Sequence, residues 1–321
     1  MDKFLERYSS AIEQAFGEYY RRHTSPEHLY QPVHYILSLG GKRLRPALVL
    51  LAADSFGCPL EKAMPAAMAI EVFHNFSLVH DDIMDRAPLR RGHPTVHCRW
   101  DANTAILSGD VMMIQAYELF ESYQGDTFRE VILAFNRVAR QVCEGQQLDM
   151  DYEKIGDVSQ AQYMEMIRLK TAVLIGGALR IGGIVAGAST RELEALEGFG
   201  TDVGLAFQLT DDYLDTFGDP RTFGKRIGGD ILEGKKTFLY ITARERASRE
   251  EFERAFSLAE EEEKIEAVRD LYRTTGADQA LREQIDRYTE KALAHVDRLP
   301  FSQPYREHYI RLARALVQRK L

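Results

Sequence analysis

The 321-residue sequence predicts an all-α protein, and three observations carry that prediction. Apolar residues recur with the helical period along nearly the whole chain, and no convincing run of alternating apolar and polar residues marks a strand. Helix boundaries are legible where Gly, Pro, Ser or Asp punctuate the pattern. The stretch from Ala63 to Val79 is apolar nearly all round, which marks a helix buried in the middle of a bundle.

Taken in order, helices are expected at 2–23, 28–39, 44–56, 60–84, 101–123, 126–150, 159–188 and 190–217. Shorter ones follow near 236–247, 249–259, 262–274, 277–297 and 302–319. Ser25-Pro26 opens the second, Gly40-Gly41 ends it ahead of the third, and Pro59 opens the fourth. Gly125-Asp126 separates the fifth from the sixth, and Ser189-Thr190 opens the eighth. At about 1.5 Å per residue the segment from Leu60 to Asp85 is long enough to cross a domain, which puts its acidic end at one mouth of the bundle. The apolar run from Ala172 to Ala188 is interrupted by Arg180 and is short for a membrane span. It reads as a core helix whose Gly176, Gly177, Gly182 and Gly183 admit a close neighbour. Gly218 to Gly234 is a long polar connection, and Glu260 to Glu263 is a solvated acidic face. No linker-like shift in composition divides the chain, so one domain, 1–321, is expected.

Composition narrows the function classes. Apolar residues make up 45% and charged residues 28%, as expected of a soluble globular protein. A net charge of −8 argues against a nucleic-acid binder, so an anionic ligand would need local basic residues or a metal. Cys58, Cys98 and Cys143 have no CxxC spacing, which disfavours a disulfide framework or structural zinc site and fits a reducing cytoplasm. The first seven residues lack the apolar core of a signal peptide. A cytoplasmic protein is expected.

Chemistry concentrates in two acidic pentads, Asp81-Asp82-Ile83-Met84-Asp85 and Asp211-Asp212-Tyr213-Leu214-Asp215. Each ends a strongly apolar stretch, where carboxylates are costly unless neutralised. Their first and last Asp are i and i+4 and share one helix face, where like charges repel unless a hard cation such as Mg²⁺ bridges them. A single pentad reads equally well as a solvated helix end; two copies make that reading weak. The loop Gly40-Gly41-Lys42-Arg43-Leu44-Arg45-Pro46 places three cations at a helix N-terminus, where the helix dipole disfavours them. A phosphate site explains the placement; a Gly-capped, solvated basic turn is the plainer alternative. Arg90-Arg91-Gly92-His93 follows the first pentad. Lys170-Thr171 lies within a helix, and Lys225 and Lys235-Lys236-Thr237 flank a glycine-rich segment that could fold over a phosphate or form a plain surface loop.

Together these residues resemble the trans-isoprenyl diphosphate synthases, or polyprenyl synthetases. The resemblance rests on GGKRLRP at 40–46, DDIMD at 81–85 with LRRGHPTVH at 89–97, GQQLD at 145–149 and KT at 170–171. FQLTDDYLD at 207–215 and the KxxGxDxxxGKKT pattern at 225–237 complete the set. Phe238-Leu239-Tyr240 departs from the Leu-Pro frequent at that place in the family.

The resemblance implies an isoprenoid-synthase-type antiparallel helical bundle around a central cavity, usually a homodimer. It implies head-to-tail condensation of isopentenyl diphosphate with an allylic diphosphate (dimethylallyl, geranyl or farnesyl); charge and hydropathy already set nucleic acid and a membrane span aside. Asp81, Asp85 and Asp211, supported by Asp82 and Asp215, would bind a cluster of three Mg²⁺ ions on the allylic diphosphate. Arg90, Lys170, Gln208, Lys225 and Lys235 would contact that diphosphate, and Thr171 would lie near the developing cation. Lys42, Arg45, His74 and Arg91 resemble a second, metal-free pocket for isopentenyl diphosphate. Read alone, His74 is as readily a core histidine, though it stands two turns before Asp81 on one helix face. His80 is read as structural.

Product length would be set below Asp81. Phe76 is five residues before it, Ser77 four and Phe73 eight. In the family an aromatic at the fifth position alone resembles the geranylgeranyl (C20) synthases, whereas aromatics at both the fifth and fourth suggest farnesyl (C15). Ser77 thus favours C20, with Phe76 as the floor and Phe73 a second one; C15 is the alternative. A class I terpene cyclase would need no second diphosphate pocket. A helical phosphohydrolase using His80-Asp81 would leave the second pentad unexplained, and a non-catalytic partner subunit usually lacks one pentad.

Overall fold

The computed structural model describes residues 3–19, 21–219 and 227–317, and 79% of it is helical. In chain order the elements are α1 (Lys3–Tyr19), α2 (Glu27–Ser38), α3 (Leu44–Ser55), α4 (Leu60–Met84), β1 (Leu89–Arg90), β2 (His93–Pro94), α5 (Val96–Arg99) and α6 (Ala102–Phe120). They continue with α7 (Gly125–Lys154), α8 (Gln160–Ile167), a π-helical turn (Arg168–Ala172), α9 (Val173–Ala186) and α10 (Thr190–Phe217). The last are α11 (Gly229–Leu232), α12 (Phe238–Arg246), α13 (Arg249–Phe256), α14 (Glu261–Thr274), α15 (Ala277–Val296) and α16 (Gln303–Val317). The all-α expectation holds.

Four features depart from the sequence reading. The helix expected at 159–188 is broken in its middle by the π turn. A two-residue antiparallel hairpin follows the first pentad. The one-turn helices α5 and α11 lie in segments read as loops. The π turn answers to a contact with Gly145, distant in sequence, while the hairpin and the one-turn helices are too short for a periodic pattern to mark.

The chain divides into two compact units. The first comprises Met1–Ala139 and Gly177–Glu197. Its centre is α4, whose residues from Ala63 to Phe73 are nearly all buried. The all-round apolar surface of α4 is covered by α3 and α6. Gly182 shows why a small residue is needed against α3: a Cβ there would come within 2.2 Å of the Val49 carbonyl oxygen.

The second unit comprises Arg140–Gly176 and Gly198–Leu321. Its core joins Ile167, Leu205, Leu209, Leu239 and Leu281 with the buried rings of Tyr163, Tyr213 and Tyr272. The run Gln160–Ala186 is long and apolar enough to cross a membrane, yet 78% of its most apolar window is buried inside the protein. It is a core helix, as its arginine and glycines suggest.

Candidate active site

In the first unit, the pentad at 81–85 closes α4. The Asp85 N–H still donates to the Asp81 carbonyl at 2.8 Å, so both residues stay in helical register and project from one face. Asp82 turns the other way. It is 1% exposed, and both its oxygens accept from Arg90, with Nε at 2.9 Å from each and Nη2 at 2.6 Å from Oδ1. This forked, charge-assisted contact is the strong form of the pair. The expected metal support, Asp82, therefore holds the expected diphosphate contact, Arg90.

The hairpin explains how neighbouring arginines serve different partners. Arg91 (φ 54°) and Gly92 (φ 78°) form its tight turn, both left-handed as a two-residue β-hairpin requires. Arg90 stays in β1 and reaches back to Asp82. Arg91 sits at the turn and donates through Nη1 to the Gly40 carbonyl. Its guanidinium also covers Gly41, where a Cβ would lie 2.9 Å from the Arg91 Cζ. That contact and a φ of 134° leave glycine alone at position 41.

Arg45 and His74 complete this basic cluster. Both lie deep in the fold while keeping part of their surface open. Arg45 Nη1 stands 3.1 Å from His74 Nε2. Because arginine only donates, Nε2 is the acceptor and the imidazole proton sits on Nδ1. Burial, then the positive charges of Arg45 and Arg91, hold the His74 pKa well below its ordinary 6.5. Burial and Arg91 push Arg45 down to about 10, against the pull of Glu71. Its Nε is buried with no hydrogen-bond partner. Lys42 is exposed, in the loop just ahead of α3. A neutral histidine among crowded cations, one with a buried donor unused, is a site that an anion would complete.

His74 has a consequence for stability. A histidine whose folded pKa lies below the unfolded one leaves the unfolded chain to take up the proton first as pH falls. Stability conferred by the neutral ring is therefore present above about pH 6.5 and lost progressively below it, by at most about 1.4 kcal/mol per pH unit. Urea unfolding between pH 8 and 5 should show that decline, and His74→Asn should flatten it. An unchanged slope in the variant would assign the acid sensitivity to other groups.

In the second unit, the pentad at 211–215 lies in the last turns of α10 and repeats the division of labour. Asp212 is 4% exposed and accepts from the Tyr163 hydroxyl and from Gln208 Nε2 at 3.1 Å. Burial, with Asp230 and Asp211 nearby, pushes its pKa up to about 8. Asp215 accepts through Oδ2 from the Asp230 N–H at 3.0 Å, and its carbonyl accepts from the Gly228 N–H at 2.6 Å. It thereby ties the glycine-rich segment to the end of α10.

The lysines have distinct settings. Lys170 pairs with Asp149. It sits in the π turn, and a Cβ on Gly145 would come within 2.2 Å of its backbone nitrogen. Wide turns of this kind are frequent at functional sites. Thr171, next in the same turn, donates to Gln208 Oε1 at 3.2 Å. Lys235 pairs with Asp230 at 3.2 Å and Glu233 at 2.9 Å. Burial works against its charge, but these carboxylates outweigh it and hold its pKa above the ordinary value. Lys236 is fixed by the carbonyls of Tyr152 and Glu153 at 2.8 and 2.9 Å. Lys225 lies outside the described residues.

The donor chemistry fits a hard divalent cation. Among the described residues no three His, Cys, Asp or Glu side chains form a ready-made cage. All the pentad side-chain donors are carboxylate oxygens, and in each pentad the second Asp is committed to protein partners. This suits Mg²⁺, which takes few protein ligands and completes its shell with water and substrate oxygens.

Comparison with known proteins agrees with the motifs. The polyprenyl synthetase family model matches residues 26–275. The chain belongs to the polyprenyl synthetase family. The geranylgeranyl diphosphate synthase of Methanosarcina mazei is 42% identical over 225 residues, 70% of this chain and 69% of its own. A crystal structure of a geranylgeranyl pyrophosphate synthase superposes with a TM-score of 0.92 at 46% identity, covering 98% of this chain and 99% of the other. The synthase from Corynebacterium glutamicum, solved with isoprenyl diphosphate and magnesium, has a TM-score of 0.83 at 28% identity, covering 98% and 96%.

Within this polyprenyl synthetase, several site-shaping residues escaped the sequence reading as individuals. Asp149 and Asp230 stood inside quoted motifs. Tyr163 and Glu71 carried no local signal beyond a polar group in an apolar run. The residues below Asp81 also sort themselves. Phe73 is fully buried, with its ring centroid 5.2 Å from that of Phe135 and 5.6 Å from that of Phe76. Phe76 is half-buried and lies 4.8 Å from the His80 ring. Ser77 turns its hydroxyl back to the His74 carbonyl at 2.8 Å. His80 contacts Phe76 and the Ile106 carbonyl, at 3.2 Å for the latter.

Proposed function

We propose that this chain is a Mg²⁺-dependent trans-prenyltransferase that condenses isopentenyl diphosphate with an allylic diphosphate and releases geranylgeranyl diphosphate. The basic cluster of Lys42, Arg45, His74 and Arg91 carries the reading: a cyclase that ionises one diphosphate has no use for a second anion pocket. Isopentenyl diphosphate binds there, and the buried Arg45 Nε gains the acceptor it lacks. The neutral His74 adds no further positive charge and donates through Nδ1–H.

Asp81, Asp85 and Asp211 would hold Mg²⁺ for the allylic diphosphate, three ions with substrate bound, while Asp215 ties Gly228 and Asp230 to the end of α10. Bound there, the metal neutralises the diphosphate as it departs. Lys170, Lys225 and Lys235 would contact the same diphosphate, as would Arg90, which Asp82 holds, and Gln208 and Thr171 would offer polar atoms to the allylic substrate. The allylic C–O bond breaks with its electrons leaving on diphosphate. The double bond of isopentenyl diphosphate attacks the cation, and a proton is lost to the departed diphosphate. Most of the rate comes from fixed charges meeting charge that develops.

The C20 product rests on Phe76 standing alone as the floor while Ser77 is small and folded onto its own helix; the names of the relatives support it, and a C15 product is not favoured. Incubation with labelled isopentenyl diphosphate and each allylic primer, followed by sizing, tests it. Geranylgeranyl diphosphate should dominate, and Phe76→Ala should lengthen the product; an unaltered distribution in that variant removes Phe76 as the floor. Phe73, locked in the core, should mainly affect stability when truncated, by about 3–5 kcal/mol.

A homodimer is the assembly we infer. Leu107 and Ile114 on α6 and Leu133 on α7 are large apolar side chains left 57–59% exposed. A second copy of the chain would cover them. Light scattering that returned the mass of one chain would exclude this. A cytoplasmic enzyme acting as a single functional domain completes the reading.

A further inference from the structure

The second aspartate cluster is held by a ladder of side chains in which Tyr163 and Asp212 have no place among the diphosphate contacts. Within the second unit the helical run of α8, the π turn and the first residues of α9, to Gly176, lies antiparallel to α10 from Gly198 on. A Cβ on Gly204 would stand 2.7 Å from the Ala172 Cα, and one on Gly200 2.7 Å from the Gly176 Cα. The backbones therefore touch, and the register between them is fixed.

Polar groups continue that register toward the end of α10. Thr171 Oγ1 donates to Gln208 Oε1 at 3.2 Å, Gln208 Nε2 donates to Asp212 Oδ1 at 3.1 Å, and the Tyr163 hydroxyl donates to Asp212 Oδ2. Tyr163 is 3% exposed, so its hydroxyl has a protein partner and little access to water. Both Asp212 oxygens are thus used inside the protein, and Asp212 points inward.

We propose that Tyr163 is a positioning residue for the condensation. By holding Asp212, it sets the rotation of the last turns of α10 and locks them to the π turn that bears Lys170 and Thr171. Each residue advances a helix by about 100°, so an inward Asp212 fixes where Asp211 and Asp215 project. A helix end left unpinned frays, because its last carbonyls lack intrahelical partners. The inference rests on the prenyltransferase reading above. It assigns Tyr163 no contact with substrate: it acts only through Asp212.

The test is Tyr163→Phe in the full chain, which removes one oxygen and keeps the ring in the core. The KM for the allylic diphosphate and the half-saturating Mg²⁺ concentration should each rise about tenfold, with a drop in kcat. The KM for isopentenyl diphosphate, whose pocket lies in the first unit, should stay within about twofold. Without metal or substrate, amide exchange at 208–217 should accelerate in the variant. In an Asp212→Asn background the same substitution should cost less than about twofold more, since the two side chains act as one unit. Unchanged constants with unchanged exchange would overturn the proposal. So would equal rises in both KM values alongside a lowered melting temperature, the signature of a merely structural bond. A wild-type protein that fails to join isopentenyl diphosphate to any primer would overturn the prenyltransferase reading instead, while the exchange comparison would still judge the ladder.

Discussion

Asp81→Ala and Asp211→Ala are each expected to lower kcat for condensation by about 10²–10³-fold or more, the scale on which loss of one fixed electrostatic stabiliser is felt. Their melting temperatures should stay within a few degrees of the parent. Both residues are only partly buried. The reverse holds one position on. Asp82 is buried against Arg90 and Asp212 against Tyr163 and Gln208. Removing the Asp82 carboxylate takes the forked partner from the Arg90 guanidinium, whose side chain is 28% exposed, and charge-assisted bonds of this kind are worth about 1.5–3 kcal/mol. Thermal unfolding beside steady-state rates, across all four alanine variants, separates the two roles. Full turnover in both Asp81→Ala and Asp211→Ala would sink the metal assignment; equal destabilisation at 81 and 82 would sink the division within the pentad.

That division marks the limit of what the sequence makes legible. Helical period and punctuation sufficed for the long elements because each is dictated by residues within a few turns. The i, i+4 spacing of Asp81 and Asp85 likewise survives folding, since α4 remains helical to its end. The inward turn of Asp82 is a matter of helix phase. It follows Glu71 and Asn75 along a buried polar strip of α4, a pattern present in the sequence but concealed by the apolar residues around it. Arg90 and Arg91 look like one basic patch until the hairpin sends them to different partners. The π turn at Lys170 answers to Gly145 on another helix, and no local pattern around Lys170 announces it.

The basic loop at 40–46 gives the second large effect: Arg43→Met is expected to destabilise the fold by about 3–5 kcal/mol while leaving the KM for isopentenyl diphosphate nearly unchanged. Composition alone does not distinguish Arg43 from Lys42 and Arg45; only the family resemblance leaves it out of the pocket. In the structure it is 3% exposed and donates to Glu13 Oε1 at 2.7 Å, Glu71 Oε1 at 2.7 Å and the Leu37 carbonyl at 2.6 Å. Its backbone sits at φ 45°, so the chain reverses there and sends consecutive side chains to opposite sides. Lys42 is thereby left exposed while Arg43 enters the core and neutralises Glu71. Without it, Glu71, which also accepts from Asn75 Nδ2 at 3.1 Å, becomes a buried carboxylate lacking its direct ion-pair partner. Glu71→Gln should therefore recover much of the stability lost in Arg43→Met, because a neutral amide needs no counter-charge. Lys42→Ala should do the opposite, raising the KM for isopentenyl diphosphate with little change in melting temperature. If Arg43→Met instead left the protein stable and weakened isopentenyl diphosphate binding as Lys42→Ala does, all three cations would belong to the anion pocket. Glu71 would then need another source of charge balance within the first unit.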